Sequence, residues 1–142
     1  MSASIPRPAS ADEFNIFQHG SLPALLGVVV RQVDASGVEA TLEIKPHHLA
    51  PNGFLHAATV VMLADTCCGY GCVANLPDGA KGFTTIELKS NHLGTATAGE
   101  IRCSATAVHL GRTTQVWDAT VHAPDGKMMA LFRCTQMVLW PR

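Results

Sequence analysis

One carboxylate, Asp65, stands inside an otherwise apolar stretch, "NGFLHAATVVMLADTCCGYGC", that runs from Asn52 to Cys72. The residues three and four positions away are Val61, Met62, Cys68 and Gly69, so Asp65 belongs to no polar stripe of a helix. It is either a structural hydrogen-bond acceptor or a reactive group. A carboxylate kept in apolar surroundings suits a nucleophile or a general base. His56 and Ala57 open the same helix. A helix start offers N–H groups without intrahelical partners and the positive end of the macrodipole, a setting that stabilises an oxyanion. Together these residues point to carbonyl chemistry, with the oxygen polarised at the Ala57 N–H and the carbon attacked through Asp65.

Helix geometry separates the two groups. Ala57 and Asp65 are 8 residues apart, which is about 12 Å along a helix axis. That is too far for both to act on one carbonyl within one chain. Two such helices running antiparallel across a two-fold axis would bring the start of one beside the middle of the other. The arithmetic therefore predicts a homodimer with two composite sites.

The elements that must position these groups follow from local patterns. "SADE" (Ser10–Glu13) has the form of a capping box at a short helix ending near Gly20. "LLGVVVRQVD" reads as a strand, "DASG" as a hairpin turn, and "VEATLEIK" as a strand with Val38, Ala40, Leu42 and Ile44 on its buried face and Glu39, Thr41, Glu43 and Lys45 facing out. A loop bracketed by Pro46 and Pro51 precedes the apolar helix, expected over 56–75. Its glycines, Gly69 and Gly71, permit close backbone approach. "NLPDGAKG" stops it. Four strands then follow, "FTTIELKSNHL", "EIRCSATAVHL", "TTQVWDATVHA" and "KMMALFRCTQMVLW", the last two joined by a tight turn at "PDG". The order α-β-β-α-β-β-β-β with short turns gives an α+β fold, a curved antiparallel sheet wrapped around one long central helix.

Composition narrows the function classes. The 142 residues are 47% hydrophobic and 15% charged, with a formal net charge of −1. One domain over 1–142 is expected, with residues 1–9 as a loose arm. No basic run marks a nucleic-acid or anionic-lipid partner, and no apolar stretch is read as long enough to cross a membrane. Low charge with high apolar content fits a surface covered by another subunit. The five cysteines are odd in number, no secretory leader is read in "MSASIPRPAS", and no CxxC pair is present. Free, small, buried thiols in a cytoplasmic protein without a metal are the expectation.

At this point "GFLHAATVVMLAD" (53–65), "TTIELKSNHLGTATAGE" (84–100) and "HLGRTTQVWDATV" (109–121) together resemble the hotdog-fold acyl-CoA thioesterases, most closely the branch related to phenylacetate degradation. The likeness extends from about Leu22 to Gln136. It implies the hotdog fold, dimers often paired into tetramers, and metal-free hydrolysis of acyl-CoA to acid and CoA, with coenzyme A as part of the substrate and no separate cofactor. It also implies roles: Ala57 N–H in the oxyanion hole, His56 shaping the helix start, Asp65 as nucleophile or base, and Thr85 orienting water. Thr84 competes for that last role, because a one-residue slip swaps strand faces. Two departures stand out. Ala57 and Ala58 replace the family's usual glycines, and their methyl groups narrow the approach to the N–H. The asparagine usual before the histidine has its candidate in Asn52.

Further substrate-binding candidates are Phe83 for the acyl pocket, Asn91 and His92 for the CoA path, and Gly111 with Arg112, whose planar fork suits phosphates. His47 and His48 read as surface residues, Glu87 as a sheet-surface acid, and Trp117 and Trp140 as packing. Two other activities fit the same residues: a hotdog hydratase or dehydratase using His56 with Asp65, and a non-catalytic acyl-CoA binder.

Overall fold

The computed structural model describes residues 7–142. Helices α1 (Ala11–Phe17) and α2 (Leu22–Leu26) lead into the hairpin β1 (Val28–Asp34) and β2 (Gly37–Glu43), and a 3-10 turn at Pro46–His48 precedes α3 (Ala57–Ala74). Strands β3 (Gly82–His92), β4 (Glu100–Leu110), β5 (Thr114–His122) and β6 (Met128–Leu139) complete the chain. The six strands form one antiparallel sheet in the order β1-β2-β4-β5-β6-β3. Helix α3 packs on the inner face of this sheet, contacting all six strands. This is the α+β arrangement of one antiparallel sheet around a long helix that the element order implied, and it agrees with the hotdog fold that the resemblance implied.

The core forms where the alternation places it. Val38, Ala40, Leu42 and Ile44 are buried and meet Leu63, Ala64 and Cys67 of α3 within one cluster. Trp117 lies beneath the helix at Gly71, where a Cβ would come within 2.5 Å of the indole ring. Glycine at that position is a packing requirement. All five cysteines are buried and free. Cys134 beside it, then burial, pushes the Cys68 thiol up, and burial pushes Cys72 up to about 12, so both remain protonated near neutral pH.

Several expectations are corrected. Leu25 and Leu26 belong to helix α2, which has Pro23 in its first turn and the left-handed Gly27 (φ 93°) as its stop, so the strand begins only at Val28. Of the capping box, only the Ser10 half forms, its Oγ accepting from Glu13 N at 3.1 Å. Thr41 is buried, not outward, and accepts from Arg31 Nε at 3.0 Å. His48 is buried too: its Nδ1 accepts from Lys45 N at 2.9 Å, which leaves Nε2 to donate to Leu26 O at 2.6 Å. The loose arm does not extend to its last residues, since Pro8 is buried and Arg7 donates to Leu76 O and Ala80 O; residues 1–6 lie outside the described residues. Finally, α3 does reach the length and hydropathy of a membrane span. However, 56% of it is buried inside the fold, as befits a core helix.

Candidate active site

Helix α3 carries two of the reactive groups. His56 is its N-cap, with an extended backbone and with Nδ1 accepting from Ala58 N at 2.8 Å. The Thr59 N–H is taken by His56 O. Among the described residues, the Ala57 N–H donates to no acceptor, and Ala57 is exposed. The structure thus leaves one free donor at an open helix start, and the His56 ring fixes the turn around it. The loop behind this turn is pinned by His48, whose carbonyl accepts from His56 N and from Thr59 Oγ1, both at 3.0 Å.

Two turns along, Asp65 is half-buried and its Oδ1 is fully buried without a hydrogen-bond partner among the described residues. Burial pushes its carboxyl above the ordinary 3.8; the Thr85 hydroxyl faces it and pulls the other way. An unpaired buried carboxylate oxygen is costly, and such atoms concentrate where a ligand or reactant completes the bonding.

Strand β3 places the two threonines on opposite faces. Thr85 pairs with Gln136 and Phe83 with Val138, both buried partners on the helix side. Thr84 pairs with the exposed Met137 and faces out. A bulge at Ile86 follows, since the register passes from Thr85↔Gln136 to Glu87↔Thr135.

Phe83 lies over Gly69, where a Cβ would stand 3.1 Å from the ring tip. Beside Asp65 a cavity of about 210 Å³ opens, walled by Phe17, Pro23, Gly69, Tyr70, Val73 and Phe83. Helix α1 supplies Phe17 and is itself held in place. Phe14 stacks on Tyr70 at 4.7 Å, and the Tyr70 hydroxyl donates to Gln18 Oε1 at 2.7 Å.

The remaining candidates lie apart from Asp65. Asn52 is exposed, and its Oδ1 accepts from Phe54 N within its own loop. Asn91 pairs with the exposed Leu131 on the outer face, whereas His92 is exposed opposite Ala130 at the strand end. Gly111 and Arg112 occupy the β4–β5 turn, with the guanidinium stacked 4.2 Å from the Trp140 ring centroid and Trp140 Nε1 donating to Arg112 O. Glu87 is exposed on the outer face.

Sequence reasoning missed Gln136. It is fully buried, pairs with Thr85, and neither polar atom of its amide has a partner among the described residues. The signal was available: in "LFRCTQMVL" it is the polar member of the set Phe132, Cys134, Gln136, Val138 that faces inward.

Residues 52–130, more than half of the chain and including every group just described from His56 to Arg112, match the thioesterase superfamily. The chain belongs to that superfamily. A Pseudomonas aeruginosa esterase, PA1618, is 31% identical over 131 residues, 90% of this chain and 88% of that one. A crystal structure of a mutant of the same protein, called a thioesterase, superposes with a TM-score of 0.88, at 29% identity, over 94% of this chain and 96% of that one. A 1,4-dihydroxy-2-naphthoyl-CoA hydrolase of Listeria monocytogenes is 28% identical over 80% of this chain and 92% of its own. The Escherichia coli PaaI protein of the phenylacetic acid degradation operon aligns with a TM-score of 0.78 over 87% of this chain and 88% of that one, at 21% identity, a likeness in fold alone. Thioester hydrolysis is thus the enzyme class to which the fold and the family assign this chain.

Proposed function

We propose that this protein hydrolyses an acyl-CoA thioester at a site completed by a second copy of the chain. The observation that carries the reading is Asp65: a half-buried carboxylate with an unpartnered oxygen, facing Thr85 and opening onto an apolar cavity.

The substrate carbonyl oxygen accepts from the Ala57 N–H of one subunit, which stabilises the negative charge that develops on it. Asp65 of the other subunit acts in one of two ways. As a base it takes a proton from water while the water oxygen adds to the carbonyl carbon. The C–S bond then breaks, and the CoA thiolate leaves and is protonated. As a nucleophile it forms a mixed anhydride that water opens. Thr85 orients the water or the carboxylate in either route. Both yield free acid and CoA, and the side chains used need no metal.

A second copy is supported by what a single chain leaves open. Ala57, Ala58, Val61 and Met62 share the side of α3 that carries Asp65 and Thr66, and none of them is fully buried. Strand β3 is an edge of the sheet, with Ile86 and Leu88 at 52% and 44% exposure. An uncovered apolar edge is a ready pairing surface. A dimer closed there, alone or as half of a tetramer, would place one helix start beside the other chain's Asp65. The free thiols fit a reducing cytoplasm.

The cavity beside Asp65, walled by Phe17, Tyr70 and Phe83, fits an aryl, phenylacetyl or medium-chain acyl group. The likeness to a naphthoyl-CoA hydrolase favours the aryl class.

Thiol release from a panel of aryl- and alkanoyl-CoA thioesters tests the reading, with wild type beside Asp65→Asn. Turnover of at least one thioester, lost in a variant that keeps its fold and oligomeric state, is the expected result. Acyl-CoA binding without cleavage by the wild type would make the protein a binder or a candidate for hydration chemistry.

A further inference from the structure

The cavity at Asp65 does not end at Phe83. A second cavity of about 320 Å³ shares Phe17, Val73 and Phe83 with it and continues past the end of α3. Its added walls are Pro8 and Leu76, and two cations, Arg7 and Lys81, line it. Arg7 is fixed in place, since its two terminal nitrogens donate to Leu76 O and Ala80 O. A guanidinium has further N–H donors beyond those two. The Lys81 backbone is held by Leu139 O at 2.6 Å, and its exposed side chain has no ion-pair partner among the described residues. Among the described residues, Asp65 is the one acid lining either cavity. Val73 lies 8 residues beyond Asp65 on the same helix, about 12 Å along its axis. The groove is thus apolar along its length, acidic where the reaction would occur and cationic at its far end.

Two parts of an acyl-CoA could lie in such a groove. The pantetheine arm carries two amides, each costly to bury unpaired. The hydroxyls along the first cavity already donate, Tyr70 to Gln18 and Thr66 to Met62 Sδ, so neither offers a proton to an amide carbonyl. The acyl chain has no such demand, so the groove suits the acyl side, and its cationic end then faces the end of the acyl group remote from the thioester.

Resting on the thioesterase reading, we propose that the preferred acyl group ends in an anion, a carboxylate that reaches Arg7 and Lys81 while the thioester lies at Asp65. Lys81 is on this view a specificity residue for the acyl tail.

The test compares matched thioesters: octanoyl-CoA against suberoyl-CoA, and phenylacetyl-CoA against its para-carboxy counterpart. The reading is the ratio of kcat/KM, carboxylated over neutral, in wild type, Lys81→Gln and Lys81→Glu. An exposed or half-exposed ion pair gives a ratio of about two to five in the wild type. The ratio should fall toward unity in Lys81→Gln and invert in Lys81→Glu. A wild-type ratio at or below unity overturns the proposal. So does a loss in the Lys81 variants that is equal for both members of a pair, which would assign the cations to the CoA phosphates. If no thioester is cleaved, the thioesterase reading fails separately. Calorimetric titration of the Asp65→Asn protein with octanoyl-CoA and suberoyl-CoA then reads the same preference as a ratio of dissociation constants, and equal affinities refute it.

Discussion

Replacing Thr85 by valine should move the acidic limb of the pH–rate profile to higher pH. Burial pushes the Asp65 carboxyl above 3.8 and the Thr85 hydroxyl opposes it. Valine keeps the shape and removes the donor. A hydrogen bond to an ionised group contributes about 1.5–3 kcal/mol, and one pKa unit corresponds to about 1.4 kcal/mol. Both residues are partly exposed and Oδ1 has no close partner, so the lower end applies. The limb therefore moves to higher pH, and at a pH on that limb the valine variant should lose about tenfold more rate than on the plateau. The sign is fixed by what valine removes, a donor that favours the ionised form; the folded-state pKa rises, and ionised Asp65 is lost at a higher pH as the solution is acidified. The assay is kcat/KM for one thioester across the acidic and neutral range, for wild type, Thr85→Val and Thr85→Ser, with serine expected to restore the wild-type limb. A valine variant slower by the same factor at every pH, with its limb in place, would refute the reasoning. Thr85 would then act on water or substrate and not on the ionisation of Asp65.

Asp65→Asn should be more stable than the wild type at neutral pH. Below 3.8 the carboxyl is protonated folded or unfolded, and as pH rises from there to the raised folded value the wild type alone loses stability; urea unfolding at acidic and neutral pH should show the gap widening with pH. Gly69→Ala places a methyl 3.1 Å from the Phe83 ring tip, which a side chain can yield to, so the fold should persist while the cavity narrows. kcat/KM should fall more for aryl than for short alkanoyl thioesters, and equal losses would remove Gly69 from the acyl wall. His48→Leu orphans Lys45 N–H and Leu26 C=O and should cost about 2–4 kcal/mol in chemical denaturation. In the wild type, burial holds the His48 pKa below 6.5, so its contribution is complete above 6.5 and is lost as pH falls below it.

What could be read from the sequence was local. The alternation of Val38 to Ile44 fixed the buried face of β2, and the apolar run with its flanking turns placed α3 within one residue at each end. These signals depend on periodicity and on capping chemistry, which neighbouring residues determine. His48 was misread because its burial depends on a carbonyl 22 residues away, at the end of a helix whose last two residues were read as strand. The resemblance favoured Thr85 over Thr84, but the strand pattern by itself left the choice open. Strand alternation puts them on opposite faces but does not say which face is inner, and that follows from the pairing of Thr85 with Gln136.

Gln136 shows how far the productive rule extends. Asp65 was found because it is a lone polar group among apolar positions at helical spacing. The same test applied at a period of two to "LFRCTQMVL" selects Gln136, and the structure places it opposite Thr85. Asp65 Oδ1 and the two amide atoms of Gln136 are three of the four buried side-chain polar atoms without a partner among the described residues, and the fourth, Ser90 Oγ, lies further along β3 opposite the buried Phe132. Each such atom costs about 1–3 kcal/mol relative to a bonded one. Asp65 lines the cavity, and Gln136 pairs with the Thr85 whose hydroxyl faces Asp65, so three of the four unpaired atoms belong to residues linked through Thr85, where a substrate or a second chain would supply the missing bonds.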